Sequence, residues 1–174
     1  MHKLASGLIG LDIFSVHIGR KIGKVSGMIN NKKDLRIELL LISMVETGPL
    51  RYLSIVDVRS ISGDNIIIDS EDKLSFTEDL LRQKEIIEDD FRLIGAKVAS
   101  NSGDKMGRVK DYSIDYQNFR TRKIHVSTRL LNKLLHERLV IDQQDVIDVH
   151  KNTIIISDSR VKLKNYVAKL LPSN

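Results

Sequence analysis

The sequence predicts an all-β protein with minor helices: two tandem small β-barrels joined by a short helical linker and followed by a C-terminal helix. An ordered internal repeat, short β-branched runs bounded by turn residues, and helical periodicity confined to three places carry that expectation. The expected divisions are residues 1–70, an acidic linker at 71–90, a second barrel at 91–158 and a basic tail at 159–174.

The repeat comes first, because it organises every other element. Leu8, Ile9, Gly10, Leu11, Asp12 and Ile13 return 85 residues later as Leu93, Ile94, Gly95, Ala96, Lys97 and Val98. Gly19 with Ile22, Gly23, Lys24 and Val25 returns at offset 84 as Gly103 with Met106, Gly107, Arg108 and Val109. Asp57, Val58 and the triplet Ile66, Ile67, Ile68 return at offset 88 as Asp145, Val146 and Ile154, Ile155, Ile156. A small drift in offset with preserved order is the signature of a tandem duplication with a few loop insertions.

Each copy reads as five or six short strands. Polar runs at 28–34 and 115–118 supply turn residues between them. Strict alternation at 122–126 places Ile124 and Val126 toward a core, with Lys123 and His125 toward water. The Ile triplets are read as closing core strands. So many short strands avoid exposed edges by curling, and Gly10, Gly23, Gly95 and Gly107 fall where strands bend or backbones approach. Helical signals follow Ser75 and Glu78, which read as a capping box, follow Ser127 with Leu130, Leu131, Leu134 and Leu135, and span 161–171.

Composition narrows the chemistry. With no Cys there is no disulfide, thiolate nucleophile or iron–sulfur ligation. Nothing in that composition demands an oxidising compartment, so a cytoplasmic location is expected, and since no stretch approaches the roughly 20 apolar residues of a bilayer span, no transmembrane segment is expected. The net charge of +5 is lodged in the second half, where 16 basic residues face 11 acidic ones, against 12 and 12 in residues 1–87. Within 118–138, Arg120, Arg122, Lys123, Arg129, Lys133 and Arg138 face Glu137 alone, which marks a candidate binding surface.

Other constellations are weaker. His2, His17, His125, His136 and His150 lack metal-site spacing, the segment 103–107 reads as a turn and not a phosphate loop, and the acids at 88–90 and at 142, 145 and 148 read as solvating. Tyr112, Tyr116 and Phe119 beside Arg120 and Arg122 read as core or hairpin residues more than as a base-stacking platform. No catalytic residue, metal or cofactor is expected.

The ordered set of Leu, hydrophobic, Gly, then Gly-x-x-hydrophobic-Gly-x-Val, then Asp-Val with an Ile-rich strand, resembles the PRC-barrel family. The second copy also carries Val109, Lys110, Asp111 and the Ile114–Asp115 pair, where the first has Gly27 in the place of Asp111 and Asn30 in that of Asp115. The tandem layout is similar to two-barrel PRC proteins of Firmicutes. The resemblance implies a binding module, since PRC barrels occur in the reaction-centre H subunit and in a ribosome maturation factor that contacts a ribosomal protein. The expected function is a non-enzymatic protein-binding adaptor; the alternative is an RNA- or ribosome-associated protein using the basic second copy.

Overall fold

The computed structural model describes residues 2–46, 48–79, 83–127 and 138–157. Its chain order is β1 (His2–Leu4), β2 (Asp12–Ser15), β3 (Arg20–Asn30), β4 (Ile37–Met44), β5 (Arg51–Ser54), β6 (Ser60–Ser62), β7 (Asn65–Ile68) and β8 (Leu74–Ser75). Helix α1 (Lys84–Asp89) follows, then β9 (Lys97–Ser100), β10 (Lys105–Asp115), β11 (Thr121–Ser127), β12 (Arg138–Asp142), β13 (Val146–His150) and β14 (Thr153–Ile156). The protein is all-β with minor helical turns, as expected.

Among the described residues, two seven-stranded sheets have matching order. One runs β6-β7-β2-β3-β4-β5-β8, and the other runs β13-β14-β9-β10-β11-β12 with β1 joined to β10. In each, the only parallel pair among the described residues joins the first strand of the copy to its Ile triplet: β2 with β7, and β9 with β14. The sheets must curl. A flat ladder of six strands would hold its outer members about 24 Å apart, five spacings of about 4.8 Å. Yet β12 and β13, at opposite ends of that ladder, are linked by the single turn Gln143–Asp145, which reaches at most about 14 Å.

The duplication extends to single hydrogen bonds. Gly10 N–H donates to Val25 O, and Gly95 N–H to Val109 O, both at 2.8 Å and with φ of +87° and +89°. Leu35 and Phe119 take the same left-handed conformation in turns closed by bonds from their N–H groups to Asn31 O and Asp115 O. This pairing places Asn31, not Asn30, in the position of Asp115, and the bulge between Ile29 and Asn30, which matches one between Ser113 and Ile114, keeps the same register. Bulges present in both copies cancel, so the offset of 84 holds from Gly19 to Leu35, and Asn30 is reached only when the offset of 85 of the leading segment is carried past the β2–β3 turn.

Close approach explains two of the repeated glycines. A Cβ on Gly23 would lie 2.7 Å from Ile42 Cγ2, and one on Gly107 would lie 2.2 Å from Ser127 O. The Ile triplets are inward only at their outer members. Ile66, Ile68, Ile154 and Ile156 are fully buried, whereas Ile67 and Ile155 are half-buried on the opposite face, as a period of two requires. Ser75 ends β8 instead of capping a helix, and the Phe76 N–H is bound by Asp79 Oδ2 at 3.1 Å. The leucines after Ser127 and the helix expected at 161–171 lie outside the described residues.

The two copies exchange their leading segments. β1 precedes the first copy but pairs with β10 of the second, and Ser6 donates its N–H and hydroxyl to the Asp111 carboxylate. Reciprocally, Asn30 N–H of the first copy donates to Phe91 O, just ahead of the second. One hydrophobic core therefore contains residues of both copies, including Leu8, Ile13, Leu40, Leu93, Ile124 and Ile154. At its centre lies a polar pin: Asn30 Nδ2 donates to Leu35 O at 3.1 Å, Leu93 N–H donates to Asn30 Oδ1 at 3.2 Å, and the Tyr112 hydroxyl lies 3.0 Å from Nδ2. Thr121 Oγ1 donates to the same Leu35 carbonyl at 2.7 Å. Burial pushes the pKa of Tyr112 far up, so the phenol stays neutral.

Candidate interaction surface

The candidate surface lies on the outer face of β10, β11 and β12. Inward positions on β11 are taken by Ile124 and Val126, which leaves Lys123 and His125 outward, as the alternation predicted. Across the ladder Lys123 is opposite Ser113 on one side and Asp142 on the other, and His125 is opposite Asp111 and Val140. A cavity of about 520 Å³ is lined by Ser113, Thr121, Arg122, Lys123, Asp142 and the two glutamines that follow.

Three of the six expected basic residues can be placed with their side chains. Arg120, Arg122 and Lys123 are exposed at the start of β11. Arg122 is not a free cation, because its guanidinium sits 3.1 Å from Asp115 Oδ2. That carboxylate accepts the Gln117 N–H as well, and the two contacts, the backbone bond first, hold its pKa below the ordinary value. Arg138 is placed by its backbone at the head of β12, opposite Ser127. Arg129 and Lys133 lie outside the described residues. The aromatic cluster is structural: Tyr112 and Phe119 are buried, and Tyr116 stacks on Phe119 with centroids 6.4 Å apart.

The equivalent face of the first copy shows what such a face can do. Ladder register matches Ile29, Leu41 and Tyr52 there to Ser113, His125 and Val140 in the second copy, and Leu39 to Lys123. In the first copy these apolar side chains form a small cluster of their own, closed by Ile86 and Ile87 of α1. In the second the same positions are mostly polar, Lys123 is exposed, and Val140 is 45% exposed. One face receives a segment of the same chain; in its counterpart Lys123 and Val140 are exposed among the described residues.

A second charged cluster was not singled out from sequence. Lys97, Lys105 and Arg108 line a cavity of about 770 Å³ at the β9–β10 end of the second sheet. The signal was available in the repeat itself, where Asp12 of the first copy aligns with Lys97. Among the described residues no group of three metal-ligating side chains converges, and no helix is long and apolar enough to cross a membrane. No family model matches the chain, and no curated protein matches it.

Proposed function

We propose that the chain is a protein-binding adaptor without enzymatic activity, built from two PRC-barrel modules and acting in the cytoplasm. The observation that supports this reading is the pair of equivalent sheet faces. The first already docks a helix of its own chain through Ile86 and Ile87, so the fold has a face suited to receiving a polypeptide segment. The second presents Val140 as an apolar anchor, with Lys123 and Arg120 as rim charges, which fits a partner segment that carries acidic residues around an apolar residue.

The RNA reading loses ground on one contact. Arg122 is spent on Asp115, so among the described basic candidates Arg120 and Lys123 remain for phosphates. Pull-down from lysate with and without nuclease tests the choice. A partner retained after nuclease, with association slowed but not abolished in the Arg120→Ala, Arg122→Ala, Lys123→Ala triple variant, supports the adaptor, because rim charges act mainly on the association rate. Micromolar or tighter RNA binding at physiological salt, abolished by the triple variant, would replace the adaptor with the RNA reading.

A further inference from the structure

The two copies repeat a three-residue site in which only the charge has changed. In the first copy Asp12 lies opposite Lys24 in the β2–β3 ladder, and Asp12 Oδ1 sits 2.9 Å from both Lys21 Nζ and Lys24 Nζ. Ladder register maps these three residues one to one onto the second copy. Lys97 lies opposite Arg108 as Asp12 lies opposite Lys24, and Lys105 lies opposite Ala99 as Lys21 lies opposite Phe14. The bulge between the two contact points is conserved as well. Where the first copy holds a carboxylate between two ammonium groups, the second has a third cation.

That change is unfavourable by itself. Like charges directly opposite on antiparallel strands repel, whereas the first copy gains from the same geometry. Among the described residues, no carboxylate forms an ion pair with Lys97, Lys105 or Arg108. All three are exposed, and all three line the cavity of about 770 Å³, together with Ser127, Thr153 and the half-buried Met106. The glycines there carry no weight, since Gly103 and Gly107 recur in the first copy as Gly19 and Gly23 and serve the turn and the close strand approach. What distinguishes the second copy is the missing anion.

We propose that Lys97, Lys105 and Arg108 bind the phosphate group of a small molecule, which takes the place that the Asp12 carboxylate occupies in the first copy. A phosphate dianion suits three cations better than a single carboxylate does, and its oxygens match the spread of an arginine and two lysines. The cavity volume lies within the range of small-ligand pockets, and the half-buried Met106 in its lining is the apolar neighbour for whatever the phosphate is attached to. This site is separate from the β11 face and does not depend on the adaptor reading.

The two copies supply their own controls. The full chain is titrated at constant ionic strength with inorganic phosphate and with a sugar phosphomonoester, reading amide shifts of Lys97, Gly103 and Gly107 and the thermal midpoint, with sodium chloride as the reference. Saturable shifts and a rise in midpoint above the chloride reference are expected. Preference for the ester assigns an organic phosphate, and preference for the inorganic ion assigns free phosphate. Lys97→Asp rebuilds the charge arrangement of the first copy, so it should fold normally and bind phosphate roughly tenfold or more weaker. Asp12→Lys should raise the stoichiometry from one to two; where that variant does not fold, Lys97→Asp decides alone. No response of the parent beyond the chloride reference, or equal affinity in Lys97→Asp, overturns the proposal.

Discussion

Replacing Asn30 with Ala should show whether the two copies fold as one unit. Asn30 is 2% exposed and its amide serves three partners in one place: Leu35 O, Leu93 N–H and the Tyr112 hydroxyl. Two of those partners belong to the second copy. On truncation Leu35 O keeps the Thr121 hydroxyl, so it is not orphaned. Leu93 N–H and the Tyr112 hydroxyl lose their nearest oxygen and nitrogen partners, and the hydroxyl is left with Met28 Sδ at 3.9 Å. A buried polar group left unsatisfied costs about 1–3 kcal/mol, so two such groups and the small void give about 3–5 kcal/mol. Tyr112→Phe removes the hydroxyl alone and leaves both other Asn30 bonds intact, for a cost of about 1 kcal/mol. In the double variant the hydroxyl is no longer stranded, so the sum of the single effects should exceed the double effect by about 1 kcal/mol or more. Urea unfolding followed by circular dichroism and by tyrosine fluorescence reads all three variants. A single coincident transition is expected, since a shared core and exchanged segments couple the copies. Two separated transitions, or an Asn30→Ala cost no larger than that of Tyr112→Phe, would refute the argument.

Further outcomes follow from other particulars. Ile66→Ala or Ile154→Ala should cost about 2–5 kcal/mol, and Ile67→Ala or Ile155→Ala less than half of that, since the middle residues of the triplets are only half-buried; parallel urea melts compare them. Gly107→Ala drives a Cβ into Ser127 O at φ +138° and should be far more damaging than Gly10→Ala, which meets nothing within 4 Å and bears only the left-handed conformational cost of about 1–2 kcal/mol. Asp12 has its pKa lowered, chiefly by its bond to Lys24 and then by Lys21. A depressed folded-state pKa contributes stability above the unfolded value of about 4 and loses it as pH falls through the folded value. Thermal midpoints of the parent should therefore drop more steeply below pH 4 than those of Asp12→Asn, and identical acid limbs would count against that ion pair.

Much of the fold was legible because its signals are local. Paired glycines, Ile-rich closing strands and alternation at 122–126 each act within a few residues, and two ordered sets of them amount to two equal sheets. Local signals are also where the reading stopped. An Ile triplet does not say which of its members faces inward; the parallel partner strand decides that, placing Ile154 opposite Val98 and Ile66 opposite Ile13. Ser75 and Glu78 have capping-box spacing, yet pairing with Tyr52 draws Ser75 into a strand. A basic run reads as a cationic surface until Arg122 is found against Asp115. The reversal from Asp12 to Lys97 was present in the aligned copies, but its meaning depended on knowing that Lys21 and Lys24 both reach the same carboxylate.

The sequence by itself determined the duplication, the β character and the turns, since strand period, turn chemistry and the demand for glycine at positive φ are properties of short stretches of chain. Only the tertiary structure decided that the first residues pair with the second copy, that Phe91 pairs back on the first, and that Asn30 and Tyr112 meet in one core. Contacts across 82 residues depend on how two curled sheets dispose of their open edges, and no local pattern encodes which copy supplies the covering segment.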